Sequence, residues 1–60
     1  MNKARLVELE TSLTDAAKAL RHAWLLMKHN GMQDTAKEIA DTVLDVETAA
    51  RQVSAKLAEM

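Results

Sequence analysis

His29-Asn30-Gly31-Met32-Gln33-Asp34 is the one stretch of this 60-residue sequence in which a helical pattern breaks. It carries the only glycine, and the chain has no proline. Before it, apolar residues fall at Leu6, Leu9, Leu13, Ala16, Leu20, Ala23 and Met27. After it, they fall at Ala36, Ile39, Val43, Val46, Ala50, Val53, Leu57 and Met60. Both series step alternately by three and four residues, which marks the a and d positions of a heptad; a half-buried strand would alternate by two. Leu6, Leu13, Leu20 and Met27 take position a in the first half, and Ala36, Val43, Ala50 and Leu57 take it in the second.

The chemistry of the break is that of one helix ending and another beginning. Gly31 suits the left-handed residue just past a helix end, where a Cβ is penalised. Asn30 is then the C-cap, and Met32 is placed to contact Met27 across a Schellman turn. Lys28 and His29 lie in the last turn, where positive charge complements the helix dipole. Asp34 is the expected N-cap of the second helix, although Lys37 stands where a capping box would place Glu or Gln. Asn2 is the expected cap at the chain start. Thr11, Ser12 and Thr14 are mediocre helix formers, but the seam continues through Leu9 and Leu13, so one continuous helix is expected.

The sequence therefore predicts an all-α fold: an antiparallel helical hairpin with long helices over about 3–29 and 35–59 and a loop at 30–34, forming a single domain over 1–60. Each helix would be roughly 40 Å long. A lone hairpin of this size buries little relative to the entropy of ordering about 60 residues. The apolar stripe is also wider than a and d, because Ala17, Ala19, Trp24 and Leu26 flank it in the first helix and Ala40 and Ala49 in the second. Pairing of two hairpins into a four-helix bundle is the expected remedy. Its interface core is expected at Leu6, Leu9, Leu13, Leu20, Met27, Ile39, Val43, Val46, Val53 and Leu57.

Composition narrows function. With no cysteine, the chain has no disulfide framework, no cysteine-ligated zinc and no thiol nucleophile. No glycine-rich phosphate loop or nucleophile elbow is present, and the chain is too small and plain for a conventional enzyme cleft. The expectation is a non-enzyme without catalytic residues, cofactor or metal. No run approaches a membrane span or a signal peptide, so no membrane partner is expected, and the default compartment is the cytoplasm. The net charge of −1 is not that of a generic polyanion binder. The charge is uneven, however: residues 1–31 are net basic and residues 32–60 net acidic.

Three groups of side chains stand out. Trp24, the only Phe, Tyr or Trp, opens the run Trp24-Leu25-Leu26-Met27. Four consecutive apolar residues on a helix point in every direction. They thicken the bundle core at its loop end or form a partner patch of Trp24, Leu25 and Lys28, with the ammonium over the indole. Lys18, Arg21, His22, Lys28 and His29 form a basic face on the first helix: a solvated surface, a partner for the acidic second helix, or a nucleic-acid contact. His22 and His29 lie about 10.5 Å apart along the axis and cannot chelate one metal within a chain. The carboxylates Asp34, Glu38, Asp41 and Asp45 read as a solvated outer face, and Glu47 and Arg51 are spaced for an i, i+4 pair.

In length, heptad pattern and loop position the chain resembles the Rop family of plasmid copy-number regulators, which dimerise into four-helix bundles. It is equally similar to the small hairpin chaperones of bacterial secretion systems. Three functions follow as expectations. The first is a protein-interaction module (adaptor, chaperone-like subunit, inhibitor or regulator) that self-associates and engages another helical protein. The second is a Rop-like RNA-binding regulator using the basic face of the first helix. The third is a small-ligand binder at a protomer interface near Trp24, His22 and His29.

Overall fold

A computed structural model describes residues 2–60. Helix α1 spans Lys3–His29 and helix α2 spans Gln33–Ala58. The two pack against each other as an antiparallel hairpin of 45 × 14 × 13 Å. No helix among the described residues is long and apolar enough to cross a membrane.

Helix α1 starts where Asn2 caps it, its side-chain oxygen accepting from the Arg5 amide at 2.9 Å. The threonine-rich segment passes without a break. The hydroxyls of Thr11 and Thr14 donate back to the Val7 and Glu10 carbonyls at 3.1 and 2.8 Å, which satisfies them inside the helix rather than in a competing turn. At the other end Gly31 takes φ +78°, and the Met32 amide donates to the Met27 carbonyl at 2.9 Å. This is the bond from C″ to C3 that defines a Schellman turn. The Asn30 side-chain amide donates to the Leu26 carbonyl at 2.6 Å, so it too occupies an orphan acceptor at the helix end.

The second helix begins two residues earlier than expected, which corrects the role of Asp34. Met32 is the N-cap and makes no side-chain capping bond. The Schellman turn already points the chain into α2, and the Met32 carbonyl accepts from the Ala36 amide at 2.9 Å. Asp34 therefore sits inside the first turn. There its carboxylate faces the positive end of the helix dipole instead of capping it.

The expected core positions of α2 from Ala36 to Leu57 are all buried or half-buried, whereas Met60 is exposed. In α1 the seam is displaced. Leu6, Leu13, Leu20 and Met27 face α2 as expected, but the alternating partners are Glu10, Ala17 and Trp24 at position e. Leu9 and Ala16, at position d, are exposed, and Ala23 is half-buried, as Glu10 and Trp24 are. The cause is a contest between the two edges of a wide stripe. A Trp side chain covers on the order of 150–250 Å², far more than the methyls of Ala16 and Ala23, so rotating α1 to seat Trp24 wins. Ala17 then meets α2 with a small side chain, which permits close helix approach. Glu10 is carried inward by the same rotation, and the Ser54 hydroxyl donates to its carboxylate. Among the described residues only Leu6, Ala17, Ala36 and Val43 are buried, and each keeps 3–7% of its surface exposed.

Candidate interaction surfaces

The rotation of α1 creates two unlike flanks. One carries the position-d and position-g residues of α1: Leu9, Ser12, Ala16, Ala19, Ala23 and Leu26. Beside them on α2 run Ile39, Thr42, Val46, Ala49 and Val53, the apolar ones half-buried. Apart from Arg5 and Lys56, both at the end away from the turn, these positions hold no charged residue. Leu26 is 52% exposed, and the alanines leave the helix backbone close to the surface.

The opposite flank is a groove between the helices. At its middle Trp24, Ala40 and Val43 form an apolar floor, with Leu44 at its margin. Toward the turn it continues past Lys28, Gln33, Ala36 and Lys37. Away from the turn it continues past Ala17, Lys18, Ala50 and Arg51. Arg21 and Glu47 bridge its walls through a forked ion pair, with nitrogen–oxygen distances of 2.7, 2.9 and 3.2 Å. Arg21 is more than half exposed, so the pair contributes about 0.2–1 kcal/mol. Its value is geometric, since it ties the two walls in one register. Leu44 stands 58% exposed at the groove edge, and the Lys28 ammonium sits 5.0 Å from the centre of the Trp24 ring.

Several sequence expectations are sorted by this arrangement. The predicted patch of Trp24, Leu25 and Lys28 is partly brought together. Lys28 covers Trp24, while Leu25 is exposed on the outer side of α1. The five residues of the predicted basic face divide. Lys18, Arg21 and Lys28 line the groove, but His22 and His29, at position c, lie on the side of α1 away from α2 and are exposed. Within one chain the histidines therefore do not join Trp24. No group of three or more His, Asp or Glu side chains among the described residues is arranged to hold a metal ion. The expected pair of Glu47 and Arg51 is replaced. Glu47 turns inward to Arg21 of α1, and Arg51 donates to the Thr48 hydroxyl at 3.2 Å. A guanidinium meeting Glu47 head-on across the groove makes two parallel bonds, a geometry that a same-helix neighbour on the outer surface does not match.

Leu44 and Lys37 were not singled out by the sequence pattern as surface-forming residues, and Arg51 was singled out only as a partner of Glu47. The usable signal was register. In an antiparallel pair joined by a short turn, e positions face e positions, which sets Trp24 beside Ala40 and leaves Leu44 at their margin.

No protein-family model, curated protein or solved structure matches the chain.

Proposed function

We propose that the protein is a non-enzymatic interaction module acting as a homo-oligomeric helical bundle, in which the uncharged flank of one hairpin packs on that of another. The observation that carries this reading is the flank itself: a strip of Leu, Ile, Val and Ala, interrupted by Ser12 and Thr42 but by no charge, over most of the length of the hairpin. Apolar strips of that extent on small proteins mark association sites. Area supports the same reading. The chain exposes 4582 Å². Mass scaling gives about 3,900 Å² for a compact monomer of this size, so the lone elongated hairpin leaves about 700 Å² more in water, which association would reduce. Alanines at Ala16, Ala19 and Ala23 suit the close approach of a second pair of helices, with Leu9 and Leu26 as larger side chains to interdigitate.

Sedimentation equilibrium tests this directly. The expected species has twice the 6.6 kDa mass of the chain or a higher multiple. The variants Ala19→Glu and Leu26→Glu place a carboxylate on the exposed flank. They are expected to shift the population to monomer while far-UV circular dichroism stays helical. A 6.6 kDa species persisting to about 1 mM, the concentration scale of very weak association, rejects the reading.

A further inference from the structure

We propose that the Trp24 groove is the seat of an acidic amphipathic helix from a partner protein. This rests on reading the chain as an interaction module and supplies the chemistry of what it binds.

The groove has the form of a missing helix. It lies between two antiparallel helices and runs from Lys28 to Thr14 along α1, about 21 Å at 1.5 Å per residue, which is the length of roughly four helical turns. A third helix laid between two neighbours is ordinary bundle packing. The floor is apolar, and the small side chains Ala17, Ala40 and Ala50 leave room for an incoming backbone. Trp24 and Leu44 offer the large surfaces, and Trp is the residue type most enriched among binding hot spots.

The walls decide the sign of the partner. Lys18, Arg21 and Lys28 stand on the α1 side, and Lys37 and Arg51 on the α2 side. Of the nine acidic residues in the chain, Glu47 alone lines the groove, and Arg21 already holds it. Five of the eight Lys and Arg residues therefore border one channel of a protein whose net charge is −1. A helix with an apolar stripe flanked by Glu or Asp complements both features. Its stripe covers Trp24 and Leu44, and its carboxylates meet the cations on each rim.

The same charges argue against other occupants. Symmetric pairing of two copies across this groove sets a net four positive charges against four, since Glu47 neutralises Arg21, and this is repulsive. The acidic outer face of α2 in a second copy offers no apolar stripe to cover the floor. Nucleic acid would satisfy the cations through phosphates but would leave Leu44 and the alanine floor without partners. Self-association through the uncharged flank leaves the groove open, because the two surfaces lie on opposite sides of the hairpin.

Trp24 is the only tryptophan, so its emission reports occupancy. The probes are two synthetic, tryptophan-free peptides of about 18 residues, enough for roughly 27 Å of helix. Each carries a leucine stripe, flanked by Glu in one and by Lys in the other. Titration into the full chain is expected to shift Trp24 emission to the blue with the Glu peptide and to give an affinity at least about tenfold tighter than with the Lys peptide, the preference shrinking as salt rises. The exposed-site variant Lys28→Glu/Lys37→Glu, confirmed helical by circular dichroism, is expected to lose that preference. Leu44→Glu is expected to weaken both peptides. Three results overturn the proposal: no response to the Glu peptide up to about 1 mM, equal binding of the two peptides, or a duplex RNA that displaces the Glu peptide with a steep salt dependence. Sedimentation measures self-association separately, so a dimer with a silent groove rejects this inference alone, and a monomer that binds the Glu peptide rejects only the homo-oligomer.

Discussion

Gly31 stands at φ +78°, and a Cβ built there would meet nothing within 4 Å. Any side chain at this position is therefore free of collision with the rest of the protein, and only the backbone conformation sets the cost. For an L-residue the left-handed region costs roughly 1–2 kcal/mol, so Gly31→Ala is expected to destabilise the hairpin by about that much. At this chain length each kcal/mol moves the midpoint by about 4–8 °C. Gly31→Asn should be milder, because Asn tolerates this region better than other non-glycine residues. The sharpest comparison is chemical synthesis with D-alanine at position 31. A D-residue favours positive φ and also narrows the unfolded ensemble, and it is expected to stabilise by about 0.4–1 kcal/mol. Thermal and urea unfolding followed by circular dichroism, all at one protein concentration because self-association would couple to folding, provide the order D-Ala, Gly, Asn, Ala. If L-alanine were neutral and D-alanine harmful, the left-handed turn and the Schellman geometry built on it would be refuted together.

The two helix starts should respond differently to loss of their polar residues. Asn2→Ala removes the bond to the Arg5 amide and is expected to cost about 0.5–2 kcal/mol; Asp34→Ala loses only a dipole interaction, about 0.3–1 kcal/mol at low ionic strength and less in salt, and an equal or larger loss at Asp34 under high salt would restore it as the cap. A double-mutant cycle on Arg21→Ala and Glu47→Ala is expected to show about 0.2–1 kcal/mol of coupling, while the cycle of Glu47 with Arg51 should show none; the reverse outcome would mean that Glu47 turns to its own helix. The flank variants Ala19→Glu and Leu26→Glu should lower the sedimenting mass with the helical signal retained, and a lowered helical signal without a change in mass would place those residues in the hairpin core instead.

Most of the local structure was legible. The Asn2 cap, the end of α1 at His29 and the left-handed Gly31 follow from short-range chemistry, and the structure bears each of them out. The errors lie one level higher. Asp34 has the right side chain for a cap, but the path of the backbone out of the Schellman turn had already started α2 at Gln33. Glu47 has a well-spaced Arg51 on its own helix, yet a better-aimed guanidinium waited on the other. In both cases a sound local preference was outcompeted by a geometry that only the paired helices create.

The presence of two helices, their lengths and the point where the chain reverses were readable from residue order alone, because helix periodicity and a single flexible residue are properties of neighbours along the chain. Residue order left α1 with a stripe wide enough to face its partner along either edge. Packing against α2 chose between them: the large surface of Trp24 outweighed the methyls of Ala16 and Ala23, and the helix turned to set the half-buried indole against α2. That rotation left Leu9 and Leu26 on an uncharged flank, and it brought Lys18, Arg21 and Lys28 to the same groove as Lys37, Leu44 and Arg51. Both surfaces proposed to carry function are consequences of it.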